Sequence, residues 1–334
     1  MLDATWQACL DAYLRQCSPS GSMHTVEAAR RLLMAFFARH DPARATSRDV
    51  EDFLYQPLTR RAGVSVPLSP TTRNLRRSVL SSFYRYASTF PVYSIVGPPL
   101  PLFRGIAPTA HVKLAKVPHH YRPFTRQELA RFFAVIPTDT VIGLRDRAMF
   151  LFLFYSARRR AEVCSLQWGD IEQALFPDGK GGTRAGWRYR FSGKGKAGEY
   201  EYRELAEPVR LAIWQYLEAA GRIHAIERDD PLFLPVGPAH GGLPIDPYKP
   251  MSAKGMYAAM KRYLRIAGLD PALSPHSFRH TSALMRYQVQ PDPRAVMYAL
   301  DHADLRVTTH YLDDLVPHGD EALRLLEEML GEWL

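Results

Sequence analysis

The chain has 334 residues, 46% of them hydrophobic and 23% charged, which is the composition of an ordinary globular protein with room for one or two domains. Its 43 Lys and Arg against 34 Asp and Glu leave a formal net charge of +9, which points to a polyanionic partner. The longest apolar run, Ala148–Tyr155, is too short for a bilayer, the first residues lack the pattern of a signal peptide, and Cys9, Cys17 and Cys164 lack metal-ligand spacing, so none of those classes is expected. The thiols read as free in a reducing cytosol.

The first part of the chain reads as helical. Apolar residues recur at three- and four-residue spacing over Leu2–Gln16, Met23–Arg39, Ser47–Tyr55 and Pro70–Ser88. Ser69 before Pro70 has the form of an N-cap followed by proline at the first helical position. On that last helix Leu75, Val79, Leu80 and Phe83 are expected to face a core, leaving Arg73, Arg76 and Arg77 for solvent or phosphate. Residues 90–123 are Pro-rich and cannot form long helices. We place a helical domain at 1–107 and a linker at 108–122, in which Lys113 and Lys116, with Arg122, suit a segment lying along a duplex. His111, His119 and His120 have no acidic or Cys partner at ligand spacing and read as surface histidines.

A second domain, 123–334, opens on the capping box Thr125-Arg126-Gln127-Glu128. A largely buried helix ends at Ser156, three arginines (Arg158, Arg159, Arg160) follow, and another helix starts near Ala161. From Trp168 to Tyr202 the pattern is strand-like, with Trp187, Tyr189 and Phe191 facing one way and Arg188 and Arg190 the other. GKGGT lacks the spacing of a phosphate-binding loop, and Lys194 and Lys196 lie in a second Gly-rich turn. The helix Ser252–Ala267 presents Lys254, Lys261 and Arg262 as candidates for a DNA groove. Pro275 then favours a helix start that sets His276 and Arg279 on one face. His302 follows in a turn-like stretch and Tyr311 comes nine residues later. An Arg, two imidazoles and a phenol gathered this way suit a phosphate ester better than a carbonyl or a metal. At the end, Leu323, Leu326, Leu330 and Trp333 form one stripe that packs either on its own domain or on a neighbouring protomer.

These motifs resemble the tyrosine recombinase, or phage integrase, family. His276-Ser277-Phe278-Arg279, Leu300-Asp301-His302 and Thr308-Thr309-His310-Tyr311 follow its His-x-x-Arg, Leu-Gly-His and Thr-Thr-x-x-Tyr signatures. Residues 156–163, SARRRAEV, follow its Thr-Gly-Leu-Arg-x-Ser-Glu-Leu pattern. Counted back from Glu162, the resemblance makes Arg159 the catalytic arginine, with Arg158 and Arg160 as flanking DNA contacts or surface charges. Glu162 is then the acid that orients His276 or an active-site Arg. Gly193-Lys194-Gly195 matches the family's hairpin lysine, with Lys196 the neighbouring alternative. Ala157 and Asp301 are departures, each standing where glycine is usual.

The resemblance implies a mainly α fold with a small antiparallel β-sheet: a helical, SAM-like core-binding domain and an α+β catalytic domain, forming a C-shaped clamp on DNA. It implies strand cleavage and rejoining with Tyr311 as nucleophile, Arg159 and Arg279 clamping the phosphate, and Lys194 as general acid. His276 would help remove the phenolic proton and His302 would help seat the phosphate. No cofactor, metal or ATP is expected. The expected partners are a double-stranded recombination site and further copies of the chain, assembled as a tetramer through the C-terminal helix in a bacterial cytoplasm. A type IB topoisomerase-like enzyme and a catalytically silent DNA-binding protein are the alternatives. Without room for an arm-binding domain ahead of the helical one, a simple integrase or resolvase is expected.

Overall fold

Several helices begin where the chain supplies a side chain to cap them. In the first half, α1 (Ala4–Gln16) is capped by Asp3, α3 (Ser47–Tyr55) by Thr46 in a reciprocal box with Asp49, and α4 (Pro70–Ala87) by Ser69; α2 (Met23–Phe37) lies between. Here a computed structural model describes residues 2–17, 23–59, 65–93, 98–115, 122–192, 199–236, 246–301 and 304–313. Two compact units, Met1–His119 and His120–Leu334, divide the chain.

The first unit is helical, with two antiparallel strand pairs, β1 (Leu58–Thr59) with β2 (Ser65–Val66) and β3 (Pro91–Val92) with β4 (Leu100–Pro101). Its core gathers Trp6, Leu10, Phe36, Phe53, Phe83 and Tyr84. The phase of α4 differs from the sequence expectation. Leu75 is exposed, whereas Arg76 is buried with Leu80 and Phe83. The Arg76 guanidinium donates to the carbonyls of Phe53 and Gln56, at 2.5 and 3.3 Å, and lies over the Phe53 ring. It closes the C-terminal end of α3, where carbonyls lack intrahelical partners. Arg77 is likewise engaged inside the unit, donating to Val112 and Thr109 carbonyls. Asn74 brackets Ala115 with two bonds, and Thr109 and Val112 are buried. Residues 109–115 are therefore packed on α4, where composition alone suggested a linker. Arg73 stacks over Tyr55 at 4.7 Å, and Lys113 is exposed.

The second unit is built on α6 (Val141–Ser156), with α5 (Arg126–Ala134) ahead of it and α7 (Arg160–Cys164) after it. A three-stranded antiparallel sheet follows in the order β5 (Ile171–Pro177), β6 (Thr183–Phe191), β7 (Glu201–Glu204). Tyr189 and Phe191 are buried while Arg188 and Arg190 bond Glu172 and Asp170, so the alternation read from the sequence has its physical counterpart. Helices α8 (Glu207–Ala219), α9 (Ala253–Ile266), α10 (Pro275–Val289), α11 (Pro293–Leu300) and α12 (Leu305–Asp313) complete it. Phe278 is fully buried and packs on Phe124, Phe132 and Phe150 with ring centroids 4.8, 5.3 and 5.7 Å away. That aromatic cluster fixes α10 against α5 and α6. Phe124 N–H donates to the Thr281 hydroxyl at 2.7 Å, which ties the start of the unit to the same helix.

Candidate active site

Ser274 and Ser277 cap the start of α10, with Pro275 at the first helical position, and the turn so fixed carries His276 and Arg279. Arg279 is 5% exposed. Its Nη1 donates to the Ala157 carbonyl and its Nη2 to the Leu300 carbonyl, each at 2.5 Å. One side chain thus joins the end of α6 to the end of α11. Around it Ala157, Ala283, Val296, Leu300 and Leu312 form a small apolar cluster. Through Leu312 this cluster seats α12, the helix that contains Tyr311; the Tyr311 side chain lies outside the described residues. His302, Lys194, Lys196 and Lys116 also lie outside the described residues, as does the stripe expected at Leu323–Trp333.

The three consecutive arginines have three different environments. Ala157 ends α6 in the left-handed region (φ 53°), where a Cβ is disfavoured, and the chain then turns sharply into α7. Arg159 is the N-cap residue of α7. Its main-chain N–H donates to Glu162 Oε2 at 2.9 Å and its Nη1 to Oε1 at 2.8 Å, so Glu162 holds Arg159 in place. Arg160 lies over the Tyr257 ring at 5.5 Å. Arg158 turns inward. Its side chain is 1% exposed, it bonds main-chain carbonyls, and it is neither a surface charge nor placed for DNA.

His276 opens to solvent, yet loss of hydration on its packed side lowers its pKa from the ordinary value, and the charges of Arg279, Arg160 and Arg159 lower it further. Those causes place His276 in one cationic field with residues from the α6–α7 junction and from α10. His280, one turn along α10, was not singled out from sequence. Its ring centroid is 6.5 Å from that of His276, and burial first, then His276 and Arg279, push its pKa down to about 4. Its position directly after Arg279 was the only available signal.

Two of the basic residues proposed on α9 have internal partners. Lys261 Nζ donates to the carbonyls of Pro271 and Leu273, at 2.5 and 2.7 Å, and so fixes the loop before α10. Arg262 bonds the fully buried Asp146 at 3.1 Å, alongside Arg145 and the Tyr263 hydroxyl. These donors stabilise the domain's own backbone and its buried carboxylate. Lys254 is exposed. Among the described residues no group of three or more His, Cys, Asp or Glu is placed to hold a metal ion, and no helix is long and apolar enough to cross a membrane. A cleft lined by Phe133, Pro137, Arg147 and Glu218 shares no residue with this site.

Two guanidiniums, an imidazole and the helix of a tyrosine gathered at one turn define a site suited to an anionic ester. The phage integrase family model matches residues 122–318, and the chain belongs to that family. It is 28% identical over 212 residues to tyrosine recombinase XerD of Xanthomonas axonopodis pv. citri, covering 61% of this chain and 62% of that one. To tyrosine recombinase XerC of Xylella fastidiosa (strain 9a5c) it is 30% identical over 181 residues, covering 54% and 52%. The matches span about half to three-fifths of the length of these curated relatives. In fold it is similar to the XerH site-specific recombinase bound to a palindromic difH substrate in a post-cleavage complex, with TM-score 0.61, 18% identity and coverage of 99% and 85%. It is similar also to a lambda integrase tetramer bound to a Holliday junction, with TM-score 0.62, 14% identity and coverage of 95% and 79%.

Proposed function

We propose that the chain is a site-specific DNA recombinase that cleaves and rejoins strands through a 3′-phosphotyrosine intermediate on Tyr311, acting as a tetramer on paired double-stranded sites. The observation that carries this reading is the convergence of the α6–α7 junction, α10 and α12 on Ala157, with Arg279 bonded to its carbonyl and Leu312 packed beside it. In this mechanism Arg159 and Arg279 take the non-bridging oxygens of the scissile phosphate, with Glu162 keeping Arg159 in its fork geometry. The Tyr311 oxygen attacks phosphorus in line, the P–O bond to the 5′-oxygen breaks, and Lys194 gives that oxygen a proton. A free phenol titrates near pH ~10, so its proton must leave with help. His276 suits this role because burial first, and then the arginines around it, favour its neutral, proton-accepting form. His302 would hydrogen-bond the phosphate. The phosphotyrosyl bond stores the energy of the broken linkage, so a 5′-hydroxyl from a second DNA reverses the step without ATP. Neither a metal nor a cofactor is assigned a role. Lys113, Lys254, Arg73 and Arg160 are the described candidates for contacts to the DNA backbone, with Lys116 and Lys196, and the reaction belongs inside a bacterial cell.

The test starts from sheared genomic DNA of the host. Protein–DNA adducts recovered under denaturing conditions and sequenced at the attachment point give the target, and a nicked suicide duplex of that sequence then traps the adduct in quantity. Tyr311→Phe is expected to abolish trapping while DNA affinity stays within about twofold. Persistent trapping by that variant overturns the nucleophile assignment. Exchange between two duplexes distinguishes recombination from same-strand religation of the topoisomerase kind, and no adduct at all leaves only a binding protein.

A further inference from the structure

Arg158 has no part in the chemistry above, yet it is the most completely buried of the three adjacent arginines. Its Nη2 donates to the Ala299 carbonyl at 2.5 Å and its Nε to the Ser156 carbonyl at 3.3 Å. Its guanidinium carbon lies 4.0 Å from the centre of the Phe191 ring. Nη1 is buried without a hydrogen-bond partner, 3.8 Å from Asp301 Oδ2. Arg203 of β7 shares Phe191, at 5.4 Å, and stacks on Tyr298 of α11 at 3.6 Å. Burying a guanidinium is costly, and an apolar side chain would fill the same volume without that cost. What the guanidinium adds is direction, because it touches three chain segments at once: the end of α6, the end of β6 and the end of α11.

All three segments lead into the proposed reaction. Ser156 and Arg158 precede Arg159 in the turn, Phe191 is the last residue of β6 before the connection that carries Lys194, and Asp301 is the left-handed residue (φ 52°) directly before His302. Resting on the recombinase reading, we infer that Arg158 is a positioning residue that sets the end of β6, which leads to Lys194, relative to Arg159. It acts through Phe191, is itself anchored by Ala299 and Asp301, and touches no substrate. Its effect falls on delivery of the proton to the leaving 5′-oxygen more than on DNA binding.

The experiment compares adduct formation on the nicked duplex recovered above with the same duplex carrying sulfur in place of the 5′-bridging oxygen. A thiolate leaves without protonation, so the sulfur substrate bypasses the general acid. Arg158→Met is expected to bind DNA within about twofold of wild type, to form adduct at least about 50-fold more slowly on the oxygen substrate, and to recover to within about fivefold on the sulfur substrate. Arg158→Lys should fall between, since it keeps a charge beside Asp301 but loses the fork. A purely structural role slows both substrates alike. That result, or an Arg158→Met variant as fast as wild type on both, overturns the inference. If Arg158→Met does not fold, Phe191→Leu removes the ring beneath the guanidinium, leaves its hydrogen bonds, and is read in the same way. If wild type forms adduct on neither substrate, the recombinase reading falls and the positioning role with it; if wild type reacts and the variant is slowed equally, only the positioning role falls.

Discussion

Arg279→Lys asks whether one buried guanidinium holds the turns of the site together. The two 2.5 Å bonds to the Ala157 and Leu300 carbonyls use both arms of a planar fork, and an ammonium is a point donor that cannot serve both segments. Losing one charge-assisted bond costs about 1.5–3 kcal/mol, and a stranded carbonyl about 1–3 kcal/mol more. Arg279 is only 5% exposed, so water reaches the stranded carbonyl only by following the shorter side chain inward. With that partial recovery the expected loss is about 3 kcal/mol. Urea unfolding without DNA reads it directly, with the midpoint lowered and the slope unchanged. On the nicked duplex the same substitution loosens the turn that carries Arg159, and adduct formation should fall by about 10²-fold or more. A variant that unfolds within about 0.5 kcal/mol of wild type refutes the claim that these bonds fix the turns, whatever its activity.

Three further outcomes follow from the same geometry. His280, held at about 4 against an ordinary value near 6.5, binds its proton more weakly when folded, so its contribution is intact above pH ~6.5 and is lost as pH falls towards 4; by pH 5 the loss approaches about 2 kcal/mol, and His280→Asn should flatten that part of a urea-midpoint profile. Arg76→Met should destabilise the first unit by about 2–3 kcal/mol and leave the salt dependence of DNA binding unchanged, whereas loss of a phosphate contact would reduce the salt slope by about 1 with little change in stability. Asp146→Asn strands Arg145, whose side chain is 4% exposed, and should cost about 3–5 kcal/mol in thermal or urea unfolding, while Arg262→Gln, removing a half-exposed partner, should cost under about 1 kcal/mol.

What could be read from the sequence was local. Ser274-Pro275 fixes a helix start, and the three-residue step from His276 to Arg279 then places both on consecutive turns; the Arg159–Glu162 pair follows from the same spacing. The alternation from Trp187 to Phe191 gave β6 its inner and outer faces for the same reason. The errors came where a charged side chain found a distant main-chain acceptor. On α4 the pattern rule sends Leu75 inward and Arg76 outward, yet Arg76 meets the unpaired carbonyls at the end of α3, which no periodicity reveals. In the row at 158–160 the inward turn of Arg158 depends on Phe191, Ala299 and Asp301, residues far along the chain. Ala157 and Asp301 show the opposite case. Each takes the left-handed conformation that glycine adopts most easily, so the backbone of the motif persists although the residue best suited to it is absent.

The positive balance of the chain needs the same correction. Arg184, Arg188, Arg190 and Arg203 around the sheet are bonded to Glu204, Glu172, Asp170 and Glu201, so that region carries little excess charge. Arg76, Arg77 and Arg286 donate to main-chain carbonyls, which satisfy their N–H groups but cancel no charge. Net charge thus overstates the cations that can track a duplex and says little about where they are. Around His276, whose proton affinity is lowered first by burial and then by Arg279, Arg160 and Arg159, Glu162 offsets only one of these arginines. Like charges gathered at one turn raise the free energy of the empty site, and an incoming phosphate supplies the opposite charge that lowers it. The electrostatic strain of the unliganded protein and its attraction for a phosphodiester are therefore two aspects of one arrangement, set by the turn at Ala157 and by the helix that starts at Ser274.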